Sequence, residues 1–156
     1  MWLRTGSLSI LLIPLLLLSG CREELSVEQQ VIASIETMEA AAEDGRHLDF
    51  MGHVAAGFQA QYESMDRREF HRFMIFQINQ HRRLQARFFP IYVTETGVDT
   101  ASAHFNILVT GGGNLLPESG QVFAVETSWI RDSGDWKLNF ADWEPIELPD
   151  LPAPGN

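Results

Sequence analysis

After the first 26 residues, apolar side chains recur at three- and four-residue spacing, which places them along one face of a helix. This stripe predicts an amphipathic helix over residues 27–43 and consists of Val27, Val31, Ile35, Met38 and Ala42. Ser26 and Gln29 have the spacing of a capping box, in which the serine oxygen accepts a hydrogen bond from an amide three residues later. Gly45 suits the C-terminal cap, so the sequence marks both ends of the helix.

A second stretch with helical spacing begins after Asp66, which can cap a helix together with Glu69 three residues later. We expect this helix to run from residue 67 to about residue 82, with a stripe formed by Phe70, Phe73, Met74, Gln77, Ile78 and His81. Between the two helices, apolar positions within residues 48–58 predict a short helix that its glycines weaken. Residues 58–62 predict a brief strand.

Beyond the second stretch, apolar residues alternate with polar ones, which is typical of β-strands. The alternation predicts strands over residues 84–95, 100–110, 121–131 and 136–143. Pro90 breaks or bulges the first of them, because proline cannot donate a ladder hydrogen bond. Residues 132–135 predict a hairpin turn, and the glycine-rich residues 111–120 predict a longer loop. Helices followed by antiparallel strands indicate an α+β domain with the helices on one face of the sheet.

The first 20 residues have the three-part layout of a secretory signal peptide: Arg4, an apolar run over residues 10–18, and small residues before Cys21. At about 1.5 Å per residue, the apolar run covers less than half of a ~30 Å hydrocarbon core, so it is too short for a stable membrane-spanning helix. The segment Leu18-Ser-Gly-Cys21 resembles the lipobox of bacterial lipoproteins. This resemblance implies cleavage before Cys21 and lipid attached to its thiol.

Cys21 is the only cysteine of the chain. An unpaired thiol is unusual in an exported protein, and lipidation would remove that anomaly; an ordinary secretory signal with an incidental Cys21 is the alternative. We therefore expect the mature protein to be held at a cell-envelope membrane through lipid on Cys21. Arg22 follows the cysteine where an aspartate would be expected for inner-membrane retention. By resemblance to enterobacterial lipoproteins, this favours the outer membrane, facing the periplasm.

Cleavage would leave a short lipidated linker over residues 21–25, one domain over residues 26–146, and an extended proline-rich tail over residues 147–156. The formal net charge of the whole chain is −10 at pH 7. Such acidity argues against a nucleic-acid partner, because nucleic-acid binders present a basic surface. Six arginines nevertheless fall within residues 67–87. They either form a solvated helix face or face an anionic partner.

The order of the elements, the segment Gly134-Asp-Trp-Lys-Leu138 at the start of the last strand and Trp143 at its end resemble the nuclear transport factor 2-like (NTF2-like, SnoaL-like) superfamily. The resemblance covers residues 26–146 and implies helices packed on a curved antiparallel sheet of about four to five strands, around a cone-shaped cavity. It also implies that two copies could pair as a homodimer through the outer sheet face. Because the superfamily includes ketosteroid isomerase, scytalone dehydratase, polyketide cyclases and non-catalytic binding modules, it leaves the function open.

A four-residue hairpin loop would place Trp129 opposite Leu138. Continuing the same register would place Val125 opposite Asp142, and side chains of this parity would face the helices. One slip in register would reverse the assignment. The opposite parity forms a polar outer face that consists of His104, Asn106, Glu126, Ser128, Lys137 and Asn139.

This register makes Asp142 the one acidic group on the concave face, with His53 and Tyr62 able to approach from the helical side. The three residues are the candidate catalytic set for an isomerase, dehydratase or cyclase, which needs a base and proton donors within reach of substrate. The structural alternative is that Asp142 caps a turn or pairs with an arginine, and that the histidine is a hydrogen-bonded structural group.

We expect no metal and no cofactor, because the five histidines form no close ligand pair and no nucleophile elbow or phosphate loop is present. The favoured hypothesis is a lipid-anchored binding or accessory domain whose cavity takes a small apolar ligand or whose outer face meets a protein partner. The alternative is a small-molecule isomerase, dehydratase or cyclase that uses the same cavity.

Overall fold

The computed structural model describes residues 24–80, 84–111 and 120–146. The helices are α1 (Val27–Glu43), α2 (His47–Gly52) and α3 (Arg67–Gln80). The strands are β1 (Val54–Ala60), β2 (Met65–Asp66), β3 (Leu84–Phe88), β4 (Tyr92–Gly97), β5 (Thr100–Gly111), β6 (Gly120–Asp132) and β7 (Asp135–Ile146). The signal peptide, the lipidated Cys21, the centre of the 111–120 loop and the proline-rich tail lie outside the described residues and stay predictions.

The N-terminal caps of α1 and α3 were both predicted correctly. Ser26 Oγ accepts a hydrogen bond from the Gln29 amide at 3.2 Å, and Gln29 Oε1 accepts one from the Ser26 amide at 2.9 Å. The same reciprocal pair joins Asp66 and Glu69, at 2.8 and 3.0 Å. Both capping boxes satisfy amides that a helix leaves without an internal partner.

The segment between the long helices differs from the prediction. The short helix α2 ends at Gly52, and residues 54–60 form strand β1 instead of continuing the helix to Phe58. Strand β1 pairs in parallel with β7 and contributes Val54 and Phe58 to the core. Long-range pairing therefore overrides the weak helical pattern of this glycine-containing segment.

The sheet has the strand order β2-β1-β7-β6-β5-β3, and β4 also pairs with β5. Strands β3 and β4 both pair antiparallel with β5 and are separated around Pro90, as predicted. The α+β class is confirmed. The sheet differs from the expectation in two details, because the described residues form seven strands and because the β1–β7 pair makes it mixed.

A β-bulge at Asn139 changes the facing of the second half of β7. Trp129 lies opposite Leu138, as predicted, but the next pair joins Ser128 to Phe140, so Asn139 is an extra residue. Because a strand alternates its faces with period two, one extra residue reverses the parity beyond it. The predicted pairing of Val125 with Asp142 is therefore wrong, since Val125 lies opposite Trp143.

The core lies between α1 and the concave face of the sheet. Its largest fully buried side chains are Trp129, Phe58 and Val31, at 1 %, 2 % and 0 % exposure. The β6–β7 hairpin turns through Ser133 and Gly134, whose φ angles of 55° and 92° are those of a tight two-residue turn. No helix among the described residues has the length and apolarity needed to cross a membrane.

Candidate functional site

A cavity of about 400 Å³ lies between the helices and the concave face of the sheet. Among the described residues that line it, all but four have apolar or aromatic side chains. The helices contribute Ile35, Met38, Ala42, Phe50, Phe70, Phe73 and Met74 to this apolar set, and the sheet contributes Ala86, Phe88, Phe105, Ile107, Val109, Phe123, Val125, Trp129, Leu138, Ala141 and Trp143. The prediction that the odd-numbered residues of β5 and β6 face the helices is confirmed.

A cluster of aromatic rings forms one wall of the cavity. The Phe70 ring lies 4.7 Å from the Phe58 ring and 6.1 Å from the Trp143 ring, between centroids. Phe73 stacks on Trp143 at 5.6 Å. Aromatic pairs at these separations add to the stability that burial alone supplies. The wall is therefore firmly packed and offers flat apolar surfaces to a ligand.

Thr127 is a polar residue in the cavity wall, and its hydroxyl forms two hydrogen bonds within the protein. Its hydroxyl donates to the Ala103 carbonyl at 2.9 Å and accepts from Trp129 Nε1 at 2.9 Å. Thr127 is buried, so these two bonds satisfy a group that would otherwise be costly to desolvate. The hydroxyl holds the Trp129 indole in place and is already engaged in hydrogen bonds within the protein.

The other polar lining residues are Glu39 of α1, Gln77 of α3 and Gln121 of β6. Among the lining residues that the structure describes, Glu39 alone has an ionisable side chain. Burial raises the pKa of its carboxyl above 4.5, and the nearby Glu43 raises it further, whereas Arg87 opposes the shift. A carboxyl with a raised pKa inside an apolar cavity is typical of functional sites.

Sequence reasoning missed Glu39, although a signal for it exists. Ile35, Glu39 and Ala42 are separated by four and three residues, so the glutamate lies on the same helical face as the buried apolar stripe. A charged residue at such a position is uncommon, because burial of a charge is unfavourable. The apolar pattern predicted the helix correctly, but Glu39 was overlooked because only the apolar residues of that face were considered.

The structure brings Asp142 and Tyr62 together, but outside the cavity. Asp142 lies opposite Glu126 on the outer face of the sheet, because the bulge at Asn139 reverses the parity of β7. Tyr62 is 82 % exposed, and the carboxylate of Asp142 faces its phenol and raises the pKa of Tyr62 above 10. The placement of Asp142 on the concave face was therefore incorrect, and neither residue lines the cavity.

His53 lies apart from both of them, at the end of α2. Its amide donates to the Phe50 carbonyl at 3.0 Å, and its own carbonyl accepts from the Leu138 amide at 2.8 Å. Its Nδ1 atom is buried without a hydrogen-bond partner among the described residues. Burial lowers the pKa of His53 below 6.5, and the positive charge of Lys137 lowers it further. His53 does not line the cavity either.

Among residues 24–80, 84–111 and 120–146, no group of three His, Cys, Asp or Glu side chains is arranged to hold a metal ion. Within the arginine-rich stretch, Arg67 has a structural role: its guanidinium donates to the carbonyls of Val54 at 3.3 Å and Met51 at 2.9 Å. Arg72 lies 3.8 Å from Glu69 on the exposed face of α3. These contacts agree with the interpretation of a solvated, partly structural helix face.

Helices on a curved mixed sheet around an apolar cavity define the α+β cone fold of the NTF2-like and cystatin-like proteins. The chain is similar to an NTF2-like family protein from Streptomyces avermitilis, provisionally assigned as a dehydratase, with 17% identity, a TM-score of 0.66, and coverage of 78% of this chain and 97% of that one. It is also similar to a protein provisionally assigned as a scytalone dehydratase from Novosphingobium aromaticivorans, with 8% identity, a TM-score of 0.65, and coverage of 80% and 87%.

A third similar structure is Bd1075 from Bdellovibrio bacteriovorus, with 10% identity and a TM-score of 0.67. The match covers 78% of this chain but only 41% of Bd1075, so this chain corresponds to part of that protein. No protein-family model and no curated protein matches the sequence. At these identities the likeness establishes the fold alone.

Proposed function

We propose that this protein is a lipid-anchored cell-envelope domain that binds a small apolar molecule in its cone-shaped cavity. The observation that carries the proposal is the cavity of about 400 Å³ with four polar lining side chains. Small-molecule sites typically enclose ~300–1,000 Å³ and combine an apolar lining with a few placed polar groups. The cavity has this size and this composition.

Binding is favoured over catalysis because the predicted catalytic set is not assembled. Catalysis requires acid and base groups within hydrogen-bond reach of one substrate. Asp142, Tyr62 and His53 do not line the cavity, and Thr127 is occupied by internal hydrogen bonds. The described lining of the cavity is therefore mainly apolar, with one ionisable side chain, that of Glu39.

Ligand binding can be tested by filling the cavity. Val125 lines it, and the neighbouring Ala124 points to the opposite face of the same strand. We expect Val125→Phe to weaken binding of n-decanol by at least tenfold, and Ala124→Phe to leave it unchanged. Binding would be followed through the fluorescence of Trp129 and Trp143, which line the cavity. Equal binding by both variants, with folding confirmed by circular dichroism, would refute a cavity site.

The membrane anchor rests on the sequence Leu18-Ser-Gly-Cys21. Lipid chains on one cysteine would hold the domain at a membrane surface, since each buried methylene contributes about 0.8 kcal/mol. In bacterial cells we expect the chain to incorporate labelled palmitate and to sediment with outer membranes. Cys21→Ala should lose the label and the membrane association. Ser19→Ala, which keeps a small residue before the cysteine, is the matched control. Retention of label in Cys21→Ala would contradict the proposal.

A second candidate function is a small-molecule isomerase, dehydratase or cyclase, and one observation favours it: the raised pKa of Glu39 within the cavity. Such a carboxylate could remove a proton from carbon next to a ketone and return one from solvent. The test measures uptake of deuterium from deuterated buffer at the carbon atoms next to the carbonyl of 2-decanone, followed by NMR. Uptake that exceeds the buffer rate and disappears in Glu39→Gln would favour the enzyme. Uptake at the buffer rate would favour a binding domain.

A further inference from the structure

Three of the four polar lining residues, Glu39, Gln77 and Gln121, lie at one end of the cavity. Glu43, one turn after Glu39, accepts a hydrogen bond from the Ala86 amide of β3 at 3.0 Å, so the C-terminal end of α1 lies against β3. Ala86 belongs to a cross-strand row that continues through Val109 to Gln121, and all three line the cavity. Glu39 and Gln121 are thereby placed at the same end.

Gln77 belongs to this end as well. It lies in the last turn of α3, next to Ile78. A Cβ atom built on Gly45, which follows α1, would lie 3.8 Å from the Ile78 side chain, so the C-terminal ends of α1 and α3 are adjacent. Glu39, Gln77 and Gln121 therefore come from three elements that meet at one end of the cavity. We call these three residues the polar end.

Apart from Thr127, whose hydroxyl is bonded to Ala103 and Trp129, the remainder of the described cavity lining is apolar. The N-terminal end of α1 lies against the opposite end of the sheet, where Gln30 Oε1 accepts from Trp136 Nε1 at 3.1 Å. Between the two ends of α1 the lining includes Ile35 and Trp129, at 4 % and 1 % exposure. A ligand in this space would bury its hydrocarbon part in the apolar region, away from water, and place its polar group at the polar end.

At the polar end, Glu39 and Gln121 offer hydrogen-bond acceptors, and the Gln77 amide offers both an acceptor and donors. Gln121 Nε2 already donates to the Val122 carbonyl at 3.0 Å and to the Ile146 carbonyl at 3.4 Å, which leaves its side-chain oxygen as an acceptor. Among the described residues, Glu39 makes no hydrogen bond or ion pair; the neighbouring Glu43 adds negative charge, which the positive charge of Arg87 partly offsets. A second carboxylate would be repelled there, whereas a hydroxyl or an ammonium group would find partners.

On the basis of the ligand binding proposed above, we propose that the ligand is an apolar molecule with one terminal hydrogen-bond donor, an alcohol or an amine, and that Glu39 selects it. The length of the apolar region limits the length of the ligand's hydrocarbon part, and the negative charge at the polar end excludes fatty acids. Glu39 is therefore a specificity-determining residue of the cavity.

The test uses four probes with one carbon skeleton: n-decanol, n-decylamine, n-decanoic acid and n-decane. The full chain is reconstituted in lipid nanodiscs, with empty nanodiscs to correct for partition into lipid, and binding is read from tryptophan fluorescence at neutral pH. We expect the alcohol and the amine to bind at least tenfold more tightly than the acid, since hydrogen bonds to a charged group contribute about a factor of ten or more. The alcohol controls for attraction of the cationic amine to an acidic protein.

Glu39→Leu should abolish the preference for the alcohol over decane, and Glu39→Gln should reduce the preference for the amine while retaining the alcohol. Glu28→Gln, an exposed acidic position in the first turn of α1, is the matched control and should behave as wild type. Equal affinity for all four probes, or an unchanged preference in Glu39→Leu, would overturn the role of Glu39 and leave ligand binding intact. Binding of none of the four would refute the proposed ligand binding itself.

Discussion

Asp142 of β7 lies directly opposite Glu126 of β6 on the outer face of the sheet. Like charges directly opposite each other on neighbouring strands are destabilising, and the pair gives this face an acidic centre. Tyr62 extends over it from a turn in which Gln61, Tyr62 and Glu63 all have positive φ, at 51°, 53° and 65°. The turn is fixed to β7, because the Gln61 amide donates to the Ala141 carbonyl at 3.1 Å. A tyrosine is thus held beside two carboxylates.

This arrangement predicts the titration of Tyr62. The pKa of Tyr62 is raised above 10, first by hydrogen bonding to Asp142 and by the charge of that carboxylate, and less by the charges of Glu144 and Glu126, because these interactions disfavour the phenolate. Asp142→Asn should lower the pKa of Tyr62 toward 10, and Glu126→Gln should lower it less. Absorbance titration of phenolate measures this in a Tyr92→Phe background, since the chain has two tyrosines. An unchanged titration in Asp142→Asn would contradict the contact.

Trp129 should dominate the stability of the core. It is 1 % exposed and donates to Thr127 Oγ1 at 2.9 Å, so its removal leaves a cavity and takes from the Thr127 hydroxyl one of its two hydrogen bonds. We expect Trp129→Ala to lower the free energy of unfolding by about 3–5 kcal/mol in urea denaturation. Tyr92→Ala, at an exposed aromatic position, should change it by about 0.5 kcal/mol or less. Similar values for the two variants would show that Trp129 is not a core residue.

Glu39 should make stability depend on pH in acid solution. Its pKa in the folded protein lies above 4.5, so the folded state holds the proton to higher pH than the unfolded state. The stabilisation from protonated Glu39 is complete below about 4.5 and is lost as pH rises through the folded pKa. Glu39→Gln should therefore gain stability relative to wild type over this interval, as measured by urea denaturation at successive pH values.

Two neighbours provide the controls for Glu39. Arg87 lowers the pKa of Glu39, so Arg87→Met should raise that pKa and widen the pH interval over which the protein loses stability. Glu36 is the weakest of the contributing charges, and Glu36→Gln should narrow the interval only slightly. A Glu39→Gln variant whose stability runs parallel to wild type at every pH would show that the carboxyl is not desolvated.

The parts of the fold that depend on local chemistry could be predicted from the sequence. The bounds of α1, both capping boxes, the break at Pro90 and the β6–β7 turn each follow from a few adjacent residues. The apolar inner face of β5 and β6 follows from period-two alternation in the same way. These features require no knowledge of which segments meet in space.

The candidate site could not be predicted, because it depends on contacts between distant segments. One extra residue at Asn139 moves Asp142 to the outer face, and no local pattern announces the bulge. The parallel pairing of β1 with β7 joins segments about 80 residues apart and converts a weak helical pattern into a strand. The position of Glu39 on the buried face of α1 is visible in the sequence, but the cavity that it lines is not, because the cavity forms between α1 and distant strands.

His53 should make the protein less stable as pH falls below neutrality. Its pKa in the folded state lies below 6.5, because burial disfavours the charged imidazole and Lys137 repels it. The unfolded state takes up a proton near 6.5, so stability present above that pH is lost as pH falls through the folded pKa. His53→Asn should lack this dependence in urea denaturation across the same range. Lys137→Met should raise the pKa of His53 toward 6.5 in an NMR titration of its imidazole protons, because it removes the repelling charge. An NMR pKa for His53 above 6.5 in the wild-type protein would contradict its burial beside Lys137.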